Sequence, residues 1–223
     1  MHDIQKIILK RLLDKYGQKY SDLTRGYSYE ENIVFHLKRL VDEGLIKKKD
    51  GLYFITTEGV KKITRYDLTR LADTGFKTFF VGFLCQYQNK YLIKSHPQGK
   101  SNFYNLPSGK PHFGEPIESS LVRTFEENSG LKLSPAEFSF LSLHLKTVKT
   151  SDEEILFDDA FAIYRVELNK QEFENMRLGQ NIQWMEIKTI NQLNNRWPEI
   201  DICILRKDYT NYLAYEFVSD YIL

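Results

Sequence analysis

Arg123, Thr124, Glu127 and Asn128 fall within one stretch, residues 109–131, which reads GKPHFGEPIESSLVRTFEENSGL. On a helix, positions 124, 127 and 128 stand at i, i+3 and i+4, so their side chains share one face within reach of a single ion. That face offers a hydroxyl, one carboxylate and one amide. A divalent ion held on such a face can polarise a substrate oxygen and lower the pKa of an attacking water. Magnesium takes hard oxygen ligands for this work, usually one or two of them carboxylates. Thr124 and Asn128 supply neutral oxygens, which neither concentrate Mg²⁺ nor accept a proton. Arg123 stands one turn before Glu127 and is placed to pair with it. Glu126 lies about 100° around the helix from Glu127, so it does not replace Asn128 without a shift of register.

The stretch resembles the Nudix box, which has a Gly, five residues, a Glu, seven residues, and then Arg-Glu-apolar-x-Glu-Glu-x-Gly-apolar. Gly109, Glu115, Arg123, Phe125, Glu127, Gly130 and Leu131 fall on that pattern. Thr124 and Asn128 stand where two of the three metal-binding glutamates belong. The preceding YNLPSG, residues 104–109, looks like the family's lead-in, with Tyr104 at a position usually held by Trp and Ser108 in place of a Gly. The resemblance implies an α/β/α sandwich with a mixed sheet and a ligand of the nucleoside-diphosphate type. It also implies catalytic roles for Glu127, Arg123 and Glu115, and a Mg²⁺ cofactor, held weakly or not at all, by Glu127, Asn128, Thr124 and Ser108. Loss of two carboxylates favours weak or absent hydrolysis. The alternative is an active Mg-dependent hydrolase, with a carboxylate recruited from Asp152, Glu153, Glu154, Asp158 or Asp159; the competing reading of those acids is a solvated loop. Phe103, Tyr104 and His112 are candidates to stack on a base, against core packing for the two aromatics and an exposed loop for the histidine.

These residues need elements to hold them. From Phe76 the pattern is strand-like, FKTFFVGFLCQY, followed by a turn at Asn89 and Lys90 and a second strand YLIKSHP. After the box helix, expected over 117–129, the segments FSFLSLHLKTV, ILFDDAFAIYRVEL and NIQWMEI each read as strands. Helices are expected at 188–196 and 199–222.

The N-terminal part has a different texture. Ile4, Ile7, Ile8, Leu12 and Tyr16 recur at helical spacing before Gly17. A second short helix begins near Ser21, and a third is capped by Ser28 with Glu31 in capping-box position. Its expected buried stripe is Ile33, Val34, Leu37, Leu40 and Val41, and Gly44 ends it. Two short strands around Asp50-Gly51 complete a hairpin. Three helices and a hairpin, with the words HLKRLVDEGLIKKKDGLYFITTEG, resemble a bacterial winged helix-turn-helix. The resemblance implies duplex DNA as partner, with Asn32 and Arg39 toward bases or phosphates and Lys47, Lys48 and Lys49 along the backbone. Phe35 and the acidic Glu30, Glu31 and Asp42 point instead to a protein interface, and a lysine-bearing strand is also a protected sheet edge.

The expected chain is therefore α+β: a winged helix-turn-helix over 1–65, a connector over 66–74 inside a helix-like run, and a Nudix-like domain over 75–223. The formal charge of +1 conceals an asymmetry, since residues 1–70 carry 15 Lys and Arg against 10 Asp and Glu. A modest basic excess on the small part is compatible with a polyanion partner. No apolar run approaches the length of a membrane span, and the first residues form a charged amphipathic segment rather than a secretory leader. Cys85 and Cys203 lie in apolar runs without metal spacing, as buried thiols of a reducing, cytoplasmic compartment. Three functions compete: a homodimeric regulator that senses a nucleotide metabolite and couples it to DNA binding, a working hydrolase whose first domain serves substrate selection or dimerisation, and a pair of protein-interaction modules, for which no residue speaks specifically.

Overall fold

A computed structural model describes residues 1–27, 31–66, 77–98 and 101–219. The chain divides into two compact units, residues 1–76 and 77–223.

In the first unit, α1 (Asp3–Asp14) is followed by β1 (Gln18–Lys19), α2 (Tyr20–Leu23), α3 (Ile33–Asp42), β2 (Ile46–Lys49), β3 (Leu52–Ile55) and α4 (Thr57–Ile63). The three strands form an antiparallel sheet in the order β1-β3-β2. Asp50 and Gly51 both take positive φ, 51° and 75°, the backbone that a two-residue hairpin with the native twist requires. Ile8, Leu9 and Leu12 from α1 meet Leu37 and Leu40 from α3 and Ile63 from α4 in one core. Of the expected connector, Tyr66 packs against this core, and residues 67–74 lie outside the described residues.

Two expectations for α3 are corrected. The helix begins at Ile33 with Asn32 as its cap, whose side chain accepts a hydrogen bond from the Phe35 amide at 3.3 Å. The expected cap, Ser28, lies outside the described residues. The buried stripe is also narrower: Ile33, Leu37 and Leu40 are buried, while Val34 is 62% and Val41 39% exposed. Positions 33, 37 and 40 follow the i, i+4, i+7 pattern, and each valine sits one residue, about 100°, further round.

The second unit contains β4 (Thr78–Tyr87), β5 (Lys90–Gln98), β6 (Ser101–Asn105), β7 (Ser108–Gly109), α5 (Ile117–Ser129), a 3₁₀ turn (Pro135–Glu137), β8 (Ser139–Lys149), β9 (Ile155–Glu167), α6 (Lys170–Asn175), β10 (Ile182–Glu186), α7 (Ile187–Gln192), α8 (Pro198–Ile200), a π turn (Asp201–Leu205) and β11 (Tyr212–Val218). Among the described residues these strands build one mixed sheet in the order β10-β5-β4-β9-β8-β11, with β6 added to β5 and β7 to β4. β4 runs parallel to β9 and β11 parallel to β8; the other pairs are antiparallel.

Alternation along β4 shows how the sheet is covered on both faces. Val81, Phe83 and Cys85 pack under α5 with Leu121 and Phe125. Leu84 instead joins Ile190, Ile200 and Ile204 from the C-terminal helical segments on the opposite face. The expected helix over 199–222 is replaced by α8, the π turn and β11. Lys207 has φ 55° and breaks the helical run. Beyond it YLAYEFV alternates exposed and half-buried positions, so its β-branched and aromatic residues extend the sheet edge beside β8. Among the described residues no helix is long and apolar enough to cross a membrane.

Candidate functional site

The box helix α5 is placed by two glycines. Gly130 ends it in the left-handed region at φ 66°, donating its amide to the Glu126 carbonyl at 2.7 Å, as a C-terminal cap does. Gly109, on β7, meets α5 at Thr124: a β-carbon at position 109 would lie 2.5 Å from the Thr124 methyl. Only glycine lets this strand approach the helix so closely.

Glu115 and Glu127 converge on Arg123 from two sides. Arg123 donates to Glu115 through Nε at 2.8 Å and Nη2 at 2.7 Å, and to Glu127 through Nη1 at 3.1 and 3.2 Å. Its Nη2 also reaches the Lys110 carbonyl at 3.1 Å. The His112 amide donates to Glu115 at 2.8 Å. The guanidinium, with this amide, holds the Glu115 carboxyl down at about 2, and the two carboxylates push Arg123 above its ordinary value. Glu115 and Arg123 thus form a brace that fixes the loop before α5. Glu127, with 58% of its side chain exposed, is tied to that brace.

Deeper in, Thr124 is fully buried and its hydroxyl has no hydrogen-bond partner among the described residues. Asn128 is 6% exposed and donates through Nδ2 to the Thr124 carbonyl at 2.7 Å. The same nitrogen lies 3.5 Å from the Ser108 carbonyl. The Lys94 ammonium, from β5, lies 3.5 Å from the Asn128 amide oxygen. Burial holds the Lys94 amine below its ordinary value, and the neighbouring Glu127 carboxylate opposes that shift.

Ser108 also borders a cavity of about 160 Å³ between the strands. Phe80, Phe157, Phe161 and Trp197 supply its aromatic walls, and His96, Asn105, Lys146 and Asp159 its polar groups. Lys146 and Glu199 form a buried ion pair, and the Lys146 ammonium lies 4.4 Å from the centre of the Trp197 ring and 4.9 Å from that of Phe161. Asp159 is 8% exposed, and burial raises its carboxyl against the opposing pull of Lys146. Burial, with Lys94 and Lys146 adding to it, lowers His96, which keeps the imidazole neutral.

No family model matches the chain, and no curated protein matches it. Solved structures do. A protein described as mMutator MutT from Bacillus halodurans superposes with a TM-score of 0.50 at 12% identity, over 65% of this chain and 92% of that one. The second unit has a Nudix fold. A MutT protein from Methanosarcina mazei Go1 (TM-score 0.42, 13% identity, 59% of this chain and 93% of that one) and a NUDIX hydrolase from Nitrosomonas europaea (0.41, 20%, 61% and 93%) are also similar.

Nudix hydrolases generally use a divalent metal such as Mg²⁺, and the residues here do not fit one. Glu127 is bonded to a guanidinium, the Thr124 hydroxyl is buried against Gly109, and the Asn128 oxygen faces an ammonium. Two unit charges 4 Å apart repel by about 4 kcal/mol at an effective dielectric near 20, and a doubly charged ion repels twice as strongly. Among the described residues no group of three or more His, Cys, Asp or Glu side chains is arranged to hold a metal.

The remaining acids are dispersed. Asp152, Glu153 and Glu154 are exposed before β9. Asp158 is paired with Lys77 and accepts from the Thr147 hydroxyl at 3.1 Å, while Asp159 alone of the group enters the cavity. Of the aromatic candidates, Phe103 is 6% exposed in a small cluster with Val148 and Trp197, and His112 is exposed. Sequence reasoning missed Lys146, Glu199 and Trp197. A lysine among alternating apolar residues of a strand was the available signal for the first.

In the first unit, the Asn32 side chain is engaged in capping α3, and Arg39 is paired with Glu43 at 2.7 Å. Lys47, Lys48 and Lys49 are all exposed along β2, with the Lys48 ammonium 5.3 Å from the centre of the Tyr53 ring.

Proposed function

We propose that the second unit binds a nucleoside-diphosphate-linked molecule, with hydrolysis weak or absent. The observation that carries this reading is the cavity beside the box. It has the size of one planar ring system and aromatic walls on which a base can stack. Asn105 and Asp159 offer the donors and acceptors that fix such a ring in place. Ser108 joins the cavity to α5, so a ligand with its base in the cavity extends its phosphates past Ser108 toward Asn128.

Support for weak hydrolysis comes from the box itself. Glu127, already bonded to Arg123, is the one carboxylate on this face to take a proton from water, and no second carboxylate at 124 or 128 helps it to concentrate a metal that would lower that water's pKa. The test is a panel of ADP, ADP-ribose and nucleoside triphosphates with and without Mg²⁺, followed by both thermal shift and phosphate release. A rise in melting temperature without phosphate release is expected. Rapid Mg-dependent release, abolished by Glu127→Gln, overturns the reading in favour of a working hydrolase.

For the first unit the reading is a winged helix-turn-helix that contacts duplex DNA, supported by the three exposed lysines of β2 on a unit with a basic balance. The regulator that joins the two readings makes DNA affinity depend on nucleotide occupancy. Measuring DNA binding by the full chain with and without ADP-ribose tests that dependence.

A further inference from the structure

In the box face of α5, a cation is already present. Lys94 follows Leu92 by two residues on β5, and Leu92 packs in the core under α5, so strand alternation directs Lys94 to the same helix. It sits where β5 changes partners, opposite Ile182 of β10 and Asn105 of β6. Its ammonium lies 3.5 Å from Asn128 Oδ1, at one of the two positions where the box has lost a carboxylate. A neutral amide oxygen in place of a glutamate removes the partner that would otherwise neutralise this lysine. Glu127, the remaining carboxylate nearby, has its oxygens bonded to Arg123.

We propose that the Lys94 ammonium is the protein's own substitute for the metal ion, holding the diphosphate of the ligand so that binding needs no divalent cation. This rests on the nucleotide reading given above and adds how the phosphates are held. A lysine is a strong point-charge donor to phosphate, and half-burial beside α5 leaves it little competing water. Lys110, whose ammonium lies 5.1 Å from the centre of the Phe80 ring at the cavity wall, adds a second positive charge beside the cavity. Lys146 does not serve, because Glu199 already neutralises it.

The geometry also connects the lost carboxylates to the lysine. A glutamate at 128 would bind the Lys94 ammonium as a salt bridge and cancel it as a phosphate ligand. With asparagine there, the amide orients the ammonium and leaves its charge for the ligand.

Calorimetry on the full chain decides the matter, with ADP and ADP-ribose titrated in EDTA and again in millimolar Mg²⁺. Equal affinity in the two buffers is expected, and binding that appears only with Mg²⁺ overturns the proposal while leaving the nucleotide reading intact. No binding of either compound in either buffer overturns both. Lys94→Gln should weaken ADP in EDTA roughly ten- to hundredfold, the value of a charge-assisted hydrogen bond. The same variant should leave adenosine, which has no phosphate, competing for the cavity as before. Lys94→Arg should retain ADP binding within a few-fold. ADP affinity unchanged in Lys94→Gln also overturns the proposal. Because the comparison of buffers uses the unaltered chain, it stands even if the variants fold poorly.

Discussion

Lys146 and Glu199 form an ion pair from which water is excluded, Lys146 being 2% and Glu199 0% exposed. Such a pair returns little net stability, because desolvating two charges offsets their attraction, yet breaking it strands the survivor. Lys146→Met or Glu199→Leu alone should therefore cost roughly 3–5 kcal/mol. The double substitution should recover most of that loss. Urea denaturation of the four proteins at neutral pH gives the cycle, and a double variant as unstable as the sum of the singles would show that the two charges are independent.

Arg123 and the His112 amide hold the Glu115 carboxyl at about 2, below its ordinary 4.5. A carboxyl depressed on folding contributes stability that is present above its unfolded value and is lost as pH falls through its folded one. Glu115→Gln should accordingly destabilise the protein at neutral pH, and the difference from the unaltered chain should shrink from about pH 4.5 downward and vanish near 2. Denaturation midpoints of both proteins across that range check this; a constant difference would show that Glu115 acts by packing rather than charge.

Gly109 and Thr124 leave no room for a methyl group between β7 and α5. Gly109→Ala should lower stability by about 1–3 kcal/mol, the range for overfilling a packed interior, seen as a lower melting temperature. Adding Thr124→Ser removes the methyl that the new β-carbon meets at 2.5 Å and should restore part of the loss. If it restores none, the clash is with the backbone and the close approach is fixed by more than Thr124.

The box helix was legible because its determinants are local. Arg123 and Glu127 one turn apart, and Gly130 as a left-handed cap, announce a helix and its end within a few residues. The strands of the sheet were legible from runs of β-branched and aromatic residues. The C-terminal strand β11 was not, because an edge strand with one half-buried face resembles an amphipathic helix until its partner, β8, is known. The cavity was hidden for a related reason. Ser142, His144 and Lys146 are buried at alternate positions of β8, whereas the neighbouring Leu143 and Leu145 are only half-buried. Hydropathy alone assigns those faces the other way round. What reverses them is tertiary: groups distant in sequence receive the polar side chains, the Thr210 carbonyl accepting from the Ser142 hydroxyl, Glu199 pairing with Lys146, and His144 Nδ1 lying 3.2 Å from the Tyr215 hydroxyl. Lys94 was hidden too, since nothing in YLIKSHP separates a lysine under α5 from one in solvent.

The first unit is expected to meet duplex DNA chiefly at its phosphates. Lys47, Lys48 and Lys49 are exposed together on β2, so they are free to meet a phosphate backbone without unfolding anything. Asn32 and Arg39 are differently placed: reading a base requires Asn32 to leave the cap of α3 and Arg39 to leave Glu43. Phosphate contacts should therefore dominate, and affinity should fall steeply with salt. Each contact contributes about 0.9 to the slope of log affinity against log salt, so neutralising all three lysines in the full chain should flatten it by roughly 2 to 3. Arg39→Ala should change preference among sequences only if the arginine exchanges Glu43 for a base. Val34, Phe35 and Val41, exposed on the same helix, support the rival account, in which α3 is a surface for another protein or a second copy of this chain. That account expects no salt response and an oligomer that dissociates on Phe35→Glu. Titrating the full chain with genomic fragments at several salt concentrations separates the two: failure to bind at low salt leaves α3 as a protein interface.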